Sequence, residues 1–309
     1  MKDWKKIILC GAILSIGFLN KTQGQKLHNK AIGINSENDS YMLMGKDGYY
    51  TNGLTLYYGW ASKDVNKTNI RQISFGQYMY NAKNGSYKEL NELDRPITAY
   101  LFVRYNQTHF VNKNVLRWGV DIGTIGPNAL GKPVQQFIHS TLGMYKPQEW
   151  PYQLRNALAI NSNIEYASLL IAHKNLVFQP VFNANLGMTY TDLSASALLQ
   201  LGRILENSKS IFWDADLNKT TKDDNESFFF IQPEVKYQIY NATVQGGLFN
   251  NQSETFTAPL NRILFQPKMG WFISTKKMGW KFYTQYQSKV AKTQIQNQIF
   301  GGVEIKLKF

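Results

Sequence analysis

Val303, Ile305, Leu307 and Phe309 alternate with Glu304, Lys306 and Lys308, so one face of this segment is apolar and the other charged. Successive side chains of a strand point to opposite faces, and such a segment suits a wall between lipid and water. The same dyad recurs along the chain. Leu54, Leu56, Tyr58 and Trp60 oppose Thr51, Gly53, Thr55, Tyr57 and Gly59. Ile97, Ala99, Leu101, Val103 and Tyr105 oppose Thr98, Tyr100, Phe102, Arg104 and Asn106. Leu116, Trp118, Val120 and Ile122 oppose Arg117, Gly119, Asp121 and Gly123. An ionised Arg or Asp is costly against lipid, so the sets carrying Arg104, Arg117 and Asp121 are expected to face a lumen. Their many small residues are expected to leave room inside a narrow barrel.

Strands are predicted at 31–39, 50–60, 69–79, 96–108, 113–124, 153–172, 176–191, 193–204, 226–240, 261–276, 279–291 and 297–309. The expected fold is all-β, a closed antiparallel transmembrane β-barrel of about 12 strands, with no internal repeat. The polar stretch from Glu206 to Ser227 is long for a periplasmic turn. With both barrel ends periplasmic, the connections 40–49, 80–95 and 125–152 open outward, while 61–68 and 109–112 turn inward. This separates the histidines: His28 lies in the N-terminal tail, His109 and His173 lie near inward turns, and His139 lies on the outward side.

The N-terminus changes the setting. Lys2, Lys5 and Lys6 flank an apolar stretch from Ile7 to Leu19, and small or polar residues follow near Thr22-Gln23-Gly24. This pattern predicts a signal peptide at 1–24 and a single barrel domain at 25–309. Cys10, the one cysteine, lies inside the apolar stretch, so no disulfide is expected in the mature chain. Beyond Leu19 no apolar run approaches the ~18 residues of a helical span. An exported chain with 14% aromatics is therefore expected in a bacterial outer membrane. Net charge is +13. It falls to about +10 without the signal segment, which suits an anionic glycolipid or membrane surface. No nucleic-acid motif is present, and no obligate protein partner is expected.

Two outward segments carry candidate chemistry. From Lys132 to Gly143, Pro133 suits the first turn of a helix and Gly143 its end. Val134, Phe137, Ile138 and Leu142 form an apolar stripe, while Gln135 and His139, four apart, share another face. In the first hairpin, Glu37-Asn38-Asp39 faces Gly48-Tyr49-Tyr50-Thr51-Asn52-Gly53 across the mouth. A carboxylate beside an amide, opposite a hydroxyl and glycine backbone, offers oxygen ligands for Ca²⁺; the same residue types also serve ordinary tight turns.

In these pieces the chain resembles the outer-membrane lipid A 3'-O-deacylase family. The matching segments are Glu37-Asn38-Asp39, Asp47 to Leu54, Asp94-Arg95-Pro96, and Trp118 to Pro127 running on through Gln135 and His139 to Gly143 and Trp150. They span about 31–155; the remainder resembles the family in strand pattern and final Phe. The resemblance implies a calcium-dependent esterase site at the outer end of a twelve-stranded barrel, acting on lipid A, the glycolipid of the outer leaflet. His139 would be the general base, and Asn38, Asp39 and Thr51 would share its site with Gly48 at the mouth. Asn38 and Asp39 would hold Ca²⁺. Lys83 and Lys88 are both candidates for a basic substrate contact in the second outer loop, and Gln135 is a further substrate-binding candidate. Two other readings stand beside this one: a non-enzymatic channel or structural barrel, and a serine-type outer-membrane phospholipase.

Overall fold

The first and last strands pair antiparallel, Ala31 opposite Lys308 through Asn38 opposite Gly301, and this pairing closes the sheet on itself. Closure removes every unpaired edge, as a wall in lipid requires. The computed structural model describes residues 29–42, 48–61, 69–83, 87–215, 225–249 and 253–309; the signal segment expected at 1–24 lies outside them. Twelve strands run around the barrel in chain order: β1 (Lys30–Asn38), β2 (Tyr50–Ala61), β3 (Asn69–Tyr80), β4 (Thr98–Val111), β5 (Asn114–Ile125), β6 (Ala157–Ala167, resuming at Ile171–His173), β7 (Leu176–Gly187), β8 (Tyr190–Arg203), β9 (Glu226–Gln232 and Glu234–Asn241), β10 (Ile263–Phe265 and Lys268–Ser274), β11 (Met278–Gln287) and β12 (Gln298–Lys308). Pro233 and Pro267 interrupt β9 and β10 because proline donates no ladder hydrogen bond. The register nevertheless continues across both breaks.

The expected division of faces holds. Leu54, Leu56, Val103, Val120 and Ile122 are exposed on the outer surface. On the lumen side, Arg104 pairs with Asp121 at 3.1 Å, and Arg117 pairs with Glu165 at 3.3 Å. Ile97 and Ala99 share the outward phase of β4 yet are fully buried, since a loop covers them. The room left by lumen glycines is filled rather than open. A Cβ at Gly33 would strike the Tyr57 ring, and one at Gly302 the Tyr283 ring, so these positions accept aromatic side chains from neighbouring strands.

The long connection after β8 turns inward. Its tight turns Asn207–Lys209 and Ile211–Trp213 carry Ile211, Phe212 and Trp213 into the lumen, against Phe228, Phe230 and Phe272. Phe212 meets the last three rings edge to face, with centroids 5.4–5.6 Å away. Asp214 anchors this plug through Arg117 at 3.0 Å and through the Lys306 ammonium. The barrel is therefore stoppered at the rim where β1 begins and β12 ends. Phe212→Ala is expected to lower stability by about 3–5 kcal/mol, read as an earlier unfolding midpoint in urea with the protein in detergent.

Candidate active site

The opposite, distal rim gathers the candidate residues. β1 ends at Asn38, whose side-chain oxygen accepts the Ser40 N–H at 2.7 Å, and a short helical turn (Asp39–Met42) follows. Asp39 is buried, and its Oδ2 accepts the Gly48 N–H at 2.8 Å. Asn38 lies in phase with Ile32 and Ile34, on the outer side of the wall, and donates to Asn52 Oδ1 at 3.3 Å. Across the hairpin Tyr50 pairs with Tyr80 while Asn52 pairs with Met79, which leaves Thr51 as the extra residue of a β-bulge. The alternation read from sequence put Thr51 in the lumen set with Gly53 and Thr55. The bulge interrupts the alternation: Tyr50, due on the outer side with Leu54 and Leu56, instead donates to the lumen carboxylate of Glu37 at 2.5 Å, as bulges re-aim side chains. Thr51 is buried, and its hydroxyl has no hydrogen-bond partner among the described residues.

Helix α1 (Gly131–Leu142) packs over this outer surface, and Gly143 closes it in the left-handed conformation with φ 64°. Its orientation departs from that of a soluble helix. Gly131, Gln135 and His139 are buried, while Phe137 is 71% exposed. The apolar stripe is split: Val134 packs on the cluster around Ile97, Ala99 and Trp150, Ile138 and Leu142 are half-buried, and Phe137 points out, where an apolar side chain is at rest beside lipid. The approach is close: a Cβ at Gly131 would lie 2.4 Å from the Trp150 ring and 2.6 Å from Ala99 Cβ. Gly131→Val is thus expected to push α1 off the wall, read as faster proteolysis within the helix, with the barrel still folded by its heat-dependent gel migration.

The imidazole is held in one tautomer. His139 Nδ1 lies 2.7 Å from the Tyr145 carbonyl oxygen, which only accepts, so Nδ1 carries the proton and Nε2 is the basic nitrogen. The Tyr145 ring meets the imidazole edge to face at 4.8 Å. Gln135, one turn earlier, accepts the Trp150 indole N–H at 2.6 Å, so its amide oxygen is committed to holding α1 in place. Ser140 is exposed and donates to the Phe137 carbonyl at 2.9 Å, on a different face from His139.

Hydrogen bonds link the two halves of the site through residues that sequence reasoning gave no role. The Asn81 N–H donates to the Tyr49 carbonyl at 2.8 Å, and the Asn81 amide donates to the Glu149 carboxylate; Glu149 adjoins Trp150. Asp94 joins three loops. It accepts the Tyr49 hydroxyl at 2.6 Å, the Lys83 N–H at 2.9 Å and the Ile295 N–H at 3.1 Å. Burial, together with the Asp94 carboxylate, raises the Tyr49 hydroxyl well above its ordinary range, so it remains a donor. Asp94 and Trp150 sat in the matching motif pieces, which was the available signal; Asn81 and Glu149 gave none. The two lysines separate. The Lys83 backbone packs against Gly48, beside Asp39, whereas the Lys88 carbonyl accepts the Tyr152 hydroxyl at 2.6 Å on the flank of the loop cluster.

Among the described residues no three His, Cys, Asp or Glu side chains cluster as a metal site. Among the described residues the hairpin end offers hard oxygens: the buried Asp39 carboxylate, the Asn38 and Asn52 amides, and the Thr51 hydroxyl. This set fits Ca²⁺, which accepts mixed carboxylate, amide and hydroxyl oxygens in flexible geometry.

A closed twelve-stranded barrel with an apolar outer face is the architecture of an outer-membrane protein. The chain belongs to the outer membrane protein LpxR family, whose model matches residues 8–309. Among solved structures, LpxR from Salmonella typhimurium has a TM-score of 0.73 at 20% identity, covering 90% of this chain and 100% of that one. The two share the fold. The β domain of the Bordetella autotransporter BrkA follows at a TM-score of 0.49 and 8% identity, covering 92% of this chain and 100% of that one. Sequence comparison with curated proteins gives no match.

Proposed function

We propose that this protein is a lipid A deacylase, which hydrolyses the ester of the 3'-linked acyl or acyloxyacyl group with its site turned to the outer leaflet. The reading is supported by the family match, by the burial of His139 with its Nδ1 on the Tyr145 carbonyl, and by the hydrogen-bonded chain Asp39–Gly48, Tyr49–Asn81–Glu149 and Trp150–Gln135, which ties the first hairpin to the helix that carries His139. A substrate dissolved in the membrane reaches this site from the side, with its ester at the rim and its acyl chains along the apolar face. Lys83, beside Gly48, suits a phosphate of the glycolipid.

In this mechanism His139 Nε2 takes a proton from water as that water attacks the ester carbonyl, and the Tyr145 carbonyl steadies the imidazolium that forms. The proton then passes to the departing sugar oxygen. Asp39 and Asn38 would hold Ca²⁺, with Thr51 Oγ1 within the same donor set; bound there, the ion would supply charge against the developing oxyanion. With Asp39 the one carboxylate in this set among the described residues, half-maximal activity is expected at about 0.1–1 mM Ca²⁺, the range of weakly charged sites. A calcium titration of turnover reads this directly.

The channel reading is weakened by the lumen plug around Phe212 and Asp214. The serine-esterase reading is weakened by the outward position of Ser140. Mass spectrometry of lipid A from cells with and without this protein tests the proposal. Loss of one 3'-side acyl or acyloxyacyl mass is expected; unchanged lipid A, together with steady single-channel conductance, would favour the channel.

A further inference from the structure

A second polar space lies inside the barrel, apart from the residues of the proposed deacylase site. It is a cavity of about 190 Å³ near the distal mouth, lined by Tyr50, Tyr80, Tyr190, Arg95, Lys236 and Asp192, with mainly amide side chains completing it. At ~30 Å³ per water, the space equals about six waters, roughly one hexose. None of the proposed deacylation chemistry uses it.

Arg95 is its unusual member. The side chain reaches in from the loop before β4 and is only 2% exposed. It donates to the Pro96 carbonyl and to Thr243 Oγ1, each at 3.0 Å, and stacks on the Tyr80 ring at 4.4 Å. Among the described residues no carboxylate forms an ion pair with it, and the oxygens of neighbouring Asp94 are turned to Tyr49, Lys83 and Ile295. Buried cations are normally paired, because desolvation is costly. Burial lowers this guanidinium to about 10, in the direction of an uncompensated charge. Lys236 carries a second positive charge to the cavity, held loosely by Asp192 at 3.8 Å and Glu234 at 4.0 Å. Aromatic faces and amides around a buried cation are the chemistry of sugar recognition: rings pack against C–H faces, amides meet hydroxyls, and the cation takes an acid group.

We propose that the lumen cavity binds a small anionic saccharide, with its carboxylate or phosphate on Arg95 and its ring among Tyr50, Tyr80 and Tyr190. The site is independent of the deacylase reading. Calorimetric titration of the full chain in detergent with glucose 6-phosphate, glucuronate, glucose and inorganic phosphate tests it. At least one of the two sugar acids should bind about tenfold or more tighter than both glucose and phosphate alone. Arg95→Gln should weaken that binding at least about tenfold, with Arg95→Lys intermediate. Where Arg95→Gln fails to fold, Lys236→Gln supplies the variant, with weaker binding expected. The proposal is overturned if neither sugar acid binds the unaltered protein at concentrations on the order of 10 mM. It is equally overturned if glucose or phosphate binds as tightly, or if the folded variants bind as the unaltered protein does.

Discussion

Replacing His139 with alanine is expected to lower lipid A deacylation by about 10²–10⁴-fold, the usual contribution of a positioned general base. The barrel should keep its heat-dependent migration and its strand content. The size of the effect follows from how firmly the imidazole is aimed. Its Nδ1 proton is committed to the Tyr145 carbonyl at 2.7 Å, and the helix that carries it is pinned to the wall by Gln135, Trp150 and the close approach at Gly131. An alanine removes the proton acceptor and leaves this frame in place. The loss should therefore fall on kcat, with KM little changed. Deacylation at the unaltered rate would rule out the histidine mechanism.

The second large effect concerns Asp39. Chelation of calcium should nearly abolish turnover, and Asp39→Asn should reduce it by about 10²–10³-fold, comparable to removing one oxyanion-stabilising element. The substitution keeps the side-chain oxygen that accepts the Gly48 N–H but removes the charge that would hold the cation. Raising the calcium concentration should then recover part of the lost activity. Full activity in chelator, or an Asp39→Asn variant indifferent to calcium, would remove the metal from the account and leave His139 to be explained alone.

What could be read from the sequence, and what could not, follows from the kind of order involved. Strand faces are set by a strict period of two against a simple contrast between lipid and lumen. The segments around Leu54, Val103 and Val120 therefore declared their outward faces, and twelve strands follow from them. The α1 helix was legible from Pro133 and Gly143. Its orientation was not, because Phe137, an apolar residue that would face inward in water, faces outward here while Gln135 and His139 are buried. Thr51 was recognisable through the family resemblance, but the bulge at this position was not, since a bulge depends on the pairing of two strands rather than on local pattern. The residue that orients His139 left no trace at all, being a main-chain carbonyl. The plug at Ile211–Trp213 was marked only by the length of the polar stretch that contains it. Its three apolar residues lie inside that stretch, and only the long-range packing onto Phe228, Phe230 and Phe272 gives them meaning.

The central claim is that His139 on α1 and Asp39 at the end of β1 act on one ester as a single site. Comparing kcat/KM for lipid A in His139→Ala, Asp39→Asn and the double variant tests it most directly. One site predicts strong coupling, with the double variant close to the more impaired single one. A double variant whose loss equals the product of the two single losses would mean that the two residues work independently, and would contradict the account.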